Sequence, residues 1–82
     1  MMNLDRITSD PNIMEGKACV RGMRITVALI VNLVANDMPR SEILRNYPRL
    51  EDEDITQCLR YVALLAEENL IPFGEATPAI SR

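Results

Sequence analysis

Apolar positions recur along this chain with two rhythms, and the change from one to the other divides it near Thr26. Residues 5–26 hold only brief apolar pieces: Ile7, Ile13-Met14, Ala18-Cys19-Val20 and Ile25. Each is too short for a helix, and turn formers separate them: Asp10-Pro11-Asn12, Glu15-Gly16-Lys17 and Arg21-Gly22. This pattern predicts two or three small strands joined by tight turns. Gly16 and Gly22 suit backbone angles that a side chain resists. A phosphate-cradling loop would need GxGxxG or GxxxxGK spacing, and neither glycine has it.

From Thr26 onward the spacing is helical. Thr26 reads as an N-cap, its hydroxyl placed to take an orphan backbone donor. The run after it, VALIVNLVAN, is apolar nearly all round, with Asn32 and Asn36 marking a wet edge. Such a helix is expected to be buried on more than one side, by the long helix on one flank and by the strands or a second subunit on another. Asp37-Met38-Pro39 breaks it, and proline fits the first turn of a new helix with Ile43, Leu44 and Tyr47 on one face. Pro48 ends that one. The third and longest helix, DEDITQCLRYVALLAEEN, repeats Ile55, Cys58, Leu59, Val62, Leu65 and Ala66 at three- and four-residue steps. Asp52, Glu53 and Asp54 crowd its first turn, where the helix dipole favours negative charge, and Asn69 and Pro72 end it. It would run roughly 25 Å at 1.5 Å per residue.

The expected architecture is therefore one mainly α domain over residues 1–72. A β segment at 5–26 precedes a three-helix, helix-turn-helix-like core of the homeodomain-like or winged-helix-like kind, with helices at 27–36, 40–47 and 52–69. A turn-rich tail, 73–82, follows, read either as a frayed end or as an arm that orders on a partner.

Composition sharpens this. A chain of 82 residues buries only about 60–65 % of its unfolded surface, and small domains add disulfides, a metal or a second subunit. With no histidine and two cysteines, a zinc site lacks ligands, so no metal or other cofactor is expected. Cys19 and Cys58 sit among apolar neighbours and read as core residues of a reducing compartment. Neither a secretory leader nor a membrane span is legible, which points to a soluble, cytoplasmic protein with no membrane partner. A homodimer is the remaining staple, with contacts expected on the strand segment and the outer side of Val27–Ala35. The net charge of −3 conceals an asymmetry: residues 1–49 balance to +2 and residues 50–82 to −5.

The inventory for catalysis is poor, and no enzyme is expected. Neither cysteine has a histidine base. The carboxylates at Glu51–Asp54 fan out around a helix start, so capping accounts for them more simply than a divalent cation. For nucleic acid the inventory is mixed. Arg40, Arg45 and Arg49 fall on the second helix and the turn after it, where phosphates would lie, while Thr56, Gln57 and Arg60 point off the long helix toward base edges. Arg21 and Arg24 on the strand turn form a second basic candidate. Three carboxylates at the leading end of the helix oppose phosphate. On the far side of the long helix Gln57, Arg60, Tyr61, Leu64 and Glu68 share a face. It is either a solvated face with one stray leucine or a partner surface, with Tyr61, Leu64 and Glu68 as its contacts.

The run from Ile7 to Tyr61 resembles the bacterial domain-of-unknown-function family 433. Asp10-Pro11, Gly16-Lys17, Gly22, Arg24-Ile25, Val27, Ile43-Leu44, Tyr47-Pro48, Leu50 and Asp54-Ile55 carry the resemblance over about residues 7–62. The sequence departs from the pattern at Ala18 (usually proline), Met23 (threonine), Asp37 (a turn glycine), Pro39 (a Ser/Thr cap) and Glu51 (a threonine cap). The resemblance implies a helix-turn-helix-like domain behind a small β segment. It also implies a VapB-type antitoxin that binds a PIN-like nuclease toxin, with its own promoter DNA as a second partner. The alternative, from a different class, is a protein-interaction module that does not bind DNA. The acidic second half suits it, because a basic RNA-binding toxin surface would attract such a charge.

Overall fold

Short apolar pieces can pair only briefly, and the two strands among the described residues do so. The computed structural model describes residues 4–68. The expected end of the long helix at 69 and the tail 73–82 lie outside the described residues. β1 (Ile7–Thr8) runs antiparallel to β2 (Cys19–Val20), Ile7 opposite Val20 and Thr8 opposite Cys19. Between them Asp10 Oδ1 accepts from the Asn12 amide at 2.9 Å, the local turn that short polar side chains favour. The turn Met14–Gly16 follows, its three residues at φ 51°, 59° and 83°. After β2 the chain doubles back tightly: Met23 N donates to Val20 O at 2.8 Å and Val20 N to Ile25 O at 3.0 Å. Gly22 takes φ 72° in this turn, and its absent Cβ would meet nothing within 4 Å, so conformation and not space asks for glycine.

The three helices are α1 (Val27–Ala35), α2 (Arg40–Asn46) and α3 (Asp52–Glu67). The first two end one residue before the expected limits of 36 and 47. Thr26 caps α1 as its sequence predicts, Oγ1 accepting from Leu29 N at 3.0 Å. At the other end Asp37 N donates to Val34 O and Met38 N to Leu33 O, both at 3.0 Å. This is the paired termination that wants a left-handed residue, and Asp37 supplies it at φ 67°. Pro39 occupies the cap position of α2, one residue before its first turn, and makes no side-chain cap bond.

The core gathers Val20, Met23, Val27, Ile30, Ile43, Leu50, Ile55 and Cys58, from β2, the turns and all three helices, and Ile7 of β1 packs against it half-buried. Ile30, Ile43 and Ile55 are wholly buried, and each contributes about 1.5–3 kcal/mol as an upper bound. α1 packs chiefly on α3. Of the cover expected on several sides, the described residues supply the α3 flank, and on α1 Val27 and Ile30 are fully buried. Ala28, Asn32 and Ala35 are exposed, and Leu29, Val31, Leu33 and Val34 are half-buried. No helix among the described residues is long and apolar enough to cross a membrane.

Replacing Asp37 by glycine should stabilise the domain, by on the order of 0.5–1 kcal/mol. It removes the left-handed strain of a residue with Cβ and a carboxylate from the negative end of α1. A raised urea midpoint with an unchanged slope is the expected reading.

Candidate functional site: the Asp54 clamp and the surfaces it leaves open

Asp54 stands three residues into the capping position set by Glu51, and its carboxylate reaches back so that Glu51 N donates to Oδ2 at 2.7 Å. That half of the job is helix capping, as the sequence suggests. The other half is not. The side chain is only 1 % exposed and accepts from two arginines of the β segment. Arg21 grips both oxygens, Nε to Oδ1 at 3.1 Å and Nη2 to Oδ2 at 2.9 Å, and Arg6 Nη1 donates to Oδ1 at 3.0 Å. These contacts fill the lone pairs of the carboxylate. Burial alone would raise the Asp54 carboxyl above its ordinary 3.8, but hydrogen bonds from Arg21, the Glu51 amide and Arg6 outweigh it and hold the group lower. Arg6 also binds Glu51 Oε1 at 2.7 Å, and the hydrogen bonds to Glu51 and Asp54 hold its guanidinium more firmly protonated.

Two sequence expectations fail here, for one reason. Gln57 does not face DNA: it is 1 % exposed. The β1 end of the chain lies over it, Arg6 N donating to its Oε1 at 2.9 Å while its Nε2 donates to Asp5 Oδ1 at 3.0 Å. The helical period alone placed Gln57 beside Arg60 and Tyr61, but a strand segment laid along α3 buries a second strip of that helix. Arg21, half of the second basic candidate, is likewise committed to Asp54, and its Nη2 also donates to the Arg49 carbonyl at 2.8 Å. The readable signal was a helix-start aspartate together with arginines in the β segment that reaches it.

The remaining residues divide. Arg40 Nη1 is drawn back onto α3, to Asp52 Oδ1 at 3.0 Å and Thr56 Oγ1 at 2.9 Å. An ion pair this exposed contributes roughly 0–1 kcal/mol, yet it turns the guanidinium away from an incoming phosphate. Arg24, Arg45, Arg49 and Arg60 are exposed, and their side chains have no hydrogen-bond partner among the described residues. Tyr61 is half-buried against the core, Leu64 is half-buried and Glu68 caps the end of α3.

Two concavities open on the surface. One, of about 330 Å³, runs between α1 and α3 and is lined by Lys17, Ala18, Val27, Ala28, Val31, Asn32, Tyr61, Val62 and Leu65. It is an apolar trough that the described residues leave uncovered. The other, of about 500 Å³, is a polar hollow over the first turn, lined by Pro11, Asn12, Met14, Glu15, Lys17 and Arg24. Among the described residues no three His, Cys, Asp or Glu side chains are grouped to hold a metal ion. Cys19 and Cys58 are both buried free thiols. Burial, with the Asp54 charge nearby, pushes the Cys58 thiol up to about 11.

A three-helix domain with a two-stranded β arm clamped to the start of its last helix defines the class. The chain belongs to the family described as protein of unknown function (DUF433), whose model matches residues 7–62. It is similar to the crystal structure of a DUF433 member from Anabaena variabilis, with a TM-score of 0.71 and 31 % identity. That match covers 78 % of this chain and 63 % of the other, so the chain spans less than two thirds of that protein's length. No curated protein matches it.

Two outcomes are expected from the clamp and the thiols. Asp54→Asn should cost about 3 kcal/mol at neutral pH, because it strips the charge from a buried pair while leaving its arginines in place. The folded carboxyl lies below its unfolded value, so its contribution is complete above about pH 5 and is lost as pH falls through 4 toward the folded value. The gap between wild type and variant in urea unfolding should narrow accordingly from pH 7 to pH 3. The thiols should resist Ellman's reagent at pH 8 in the native protein and both react in urea.

Proposed function

We propose that this domain is a non-enzymatic cytoplasmic antitoxin that neutralises a PIN-like nuclease toxin by direct binding, and that the α1–α3 trough is the surface it uses. The observation that carries the reading is the trough itself. A domain this small needs its apolar surface, yet it leaves Ala28 exposed and Val31, Tyr61, Val62 and Leu65 half-covered along one groove. The partner chemistry that fits is an apolar segment flanked by basic side chains. Exposed Glu67 and Glu68 at the end of α3 would steer a basic RNA-binding surface toward this side.

DNA binding stands as the second activity. Arg40 and Gln57 are engaged within the fold, and of the expected set Arg45, Arg49 and Arg60 remain exposed. The other reading, an interaction module that never contacts DNA, draws support from Asp52 and Glu53, both exposed at the leading end of α3.

The test is whether the neighbouring gene encodes a PIN-like protein and, with that protein in hand, the affinity of this chain for it. Ala28→Asp places a carboxylate in the trough at the first turn of α1, where the helix itself tolerates it. It should weaken the complex by about 100-fold, the effect of a central interface residue, with the melting temperature unchanged. Normal toxin binding by this variant would overturn the assignment of the surface, and no binding by wild type would overturn the antitoxin. Light scattering on the chain alone covers the homodimer: a dimer that Ala28→Asp dissociates would give the trough to a second copy.

A further inference from the structure

We propose that a cationic edge formed by Lys17, Arg24, Arg49 and Arg45, and not the exposed face of α3, holds the phosphate backbone of duplex DNA. The inference deepens the second activity proposed above and rests on it. It is independent of the α1–α3 trough and its partner.

The edge follows from how the arginines are divided. Arg21 is tied to Asp54 by two hydrogen bonds and to the Arg49 carbonyl by a third. The turn after β2 is therefore fixed against the turn after α2. Its backbone is locked at three further points: Arg21 N to Arg6 O at 2.7 Å, Gly22 N to Thr8 Oγ1 at 2.9 Å, and Met23 N to Val20 O at 2.8 Å. Arg24 rides on this turn and is exposed. On its other side it shares the polar hollow with Lys17, also exposed. Arg49 lies on the turn that Arg21 grips, and Arg45 lies in the last turn of α2 just before it. Lys17, Arg24, Arg49 and Arg45 thus follow one another from the β arm to the α2–α3 turn, all four without an ion-pair partner among the described residues. Hydrogen-bonded turns hold the backbone of this edge, so the ordering left when phosphates arrive is that of the side chains.

The same edge favours a duplex over a single strand. Single-strand binders offer aromatic faces to unstacked bases. Here the nearby aromatic, Tyr47, is half-buried against the core. By contrast, the expected reading helix is poor: Gln57 is covered, and Asp52 and Glu53 stand exposed at its leading end. Glu15 shares the hollow with Lys17 and Arg24 and opposes them. It supplies a variant of opposite sign.

The experiment uses the full chain and a short labelled duplex from directly upstream of the gene, with a scrambled duplex and a single strand beside it. Anisotropy is followed between about 50 and 200 mM salt, and Arg24→Ala and Arg49→Ala should each reduce the slope of log affinity against log salt by about 0.9. Both side chains are exposed and unbonded, so thermal melts should match wild type. Glu15→Gln should tighten binding, and Arg60→Ala should leave it unchanged. A loss confined to Arg60→Ala, unchanged slopes for the edge variants, or tighter binding of the single strand would overturn the edge while leaving DNA binding in place. Failure of wild type to bind any duplex at low salt would overturn the DNA activity together with the edge.

Discussion

A buried carboxylate cannot be left uncompensated, and in this domain Asp54 obliges two distant parts of the chain to come to it. Desolvating one carboxylate costs several kcal/mol, so the charge persists only where hydrogen bonds and cations surround it. Arg6 precedes β1 and Arg21 follows β2, so satisfying Asp54 brings both ends of the two-strand segment onto the start of α3. Two strands of two residues each would not hold together alone. Their register, the covering of Gln57 and the placement of the 20–25 turn all depend on that anchoring.

The clamp also sorts the basic residues. Arg6, Arg21 and Arg40 bind carboxylates of α3 or its cap and serve the fold. Arg24, Arg45, Arg49 and Arg60 stay exposed. Sequence position did not distinguish the groups, because Arg21 and Arg24 sit in one turn, and Arg40 and Arg45 in one helix. What distinguishes them is which acidic group their backbone carries them past.

That difference explains how far the sequence could be read. The three helices were legible from periodicity, the cap at Thr26 and the stops at Asp37-Met38-Pro39 and Pro48. These are local signals, decided within a few residues. Cys19 and Cys58 were legible as core from their apolar neighbours. Gln57 and Arg40 were misread because their partners lie elsewhere: Gln57 meets Asp5 and Arg6 across more than fifty positions, and Arg40 reaches Asp52 on the next helix. The cover of α1 stayed open between the strands and a second subunit for the opposite reason. Its apolar run states that a face wants covering, and nothing in it says whether the same chain provides the cover.

The uncovered side of α1 and the clamped start of α3 are connected consequences of economy in a small chain. The β segment is long enough to roof one end of α3, where Asp54 needs it, and it leaves the α1–α3 trough open farther along. An occupant of that trough that binds only the folded chain would add to its stability by mass action, about 2.7 kcal/mol at a hundred times its dissociation constant. For a domain whose whole stability is only about 5–15 kcal/mol, that is a large share. Partner binding and folding are then one linked equilibrium. The clamp keeps the arm in place with the trough empty, and the trough is where a partner would raise the stability of the whole.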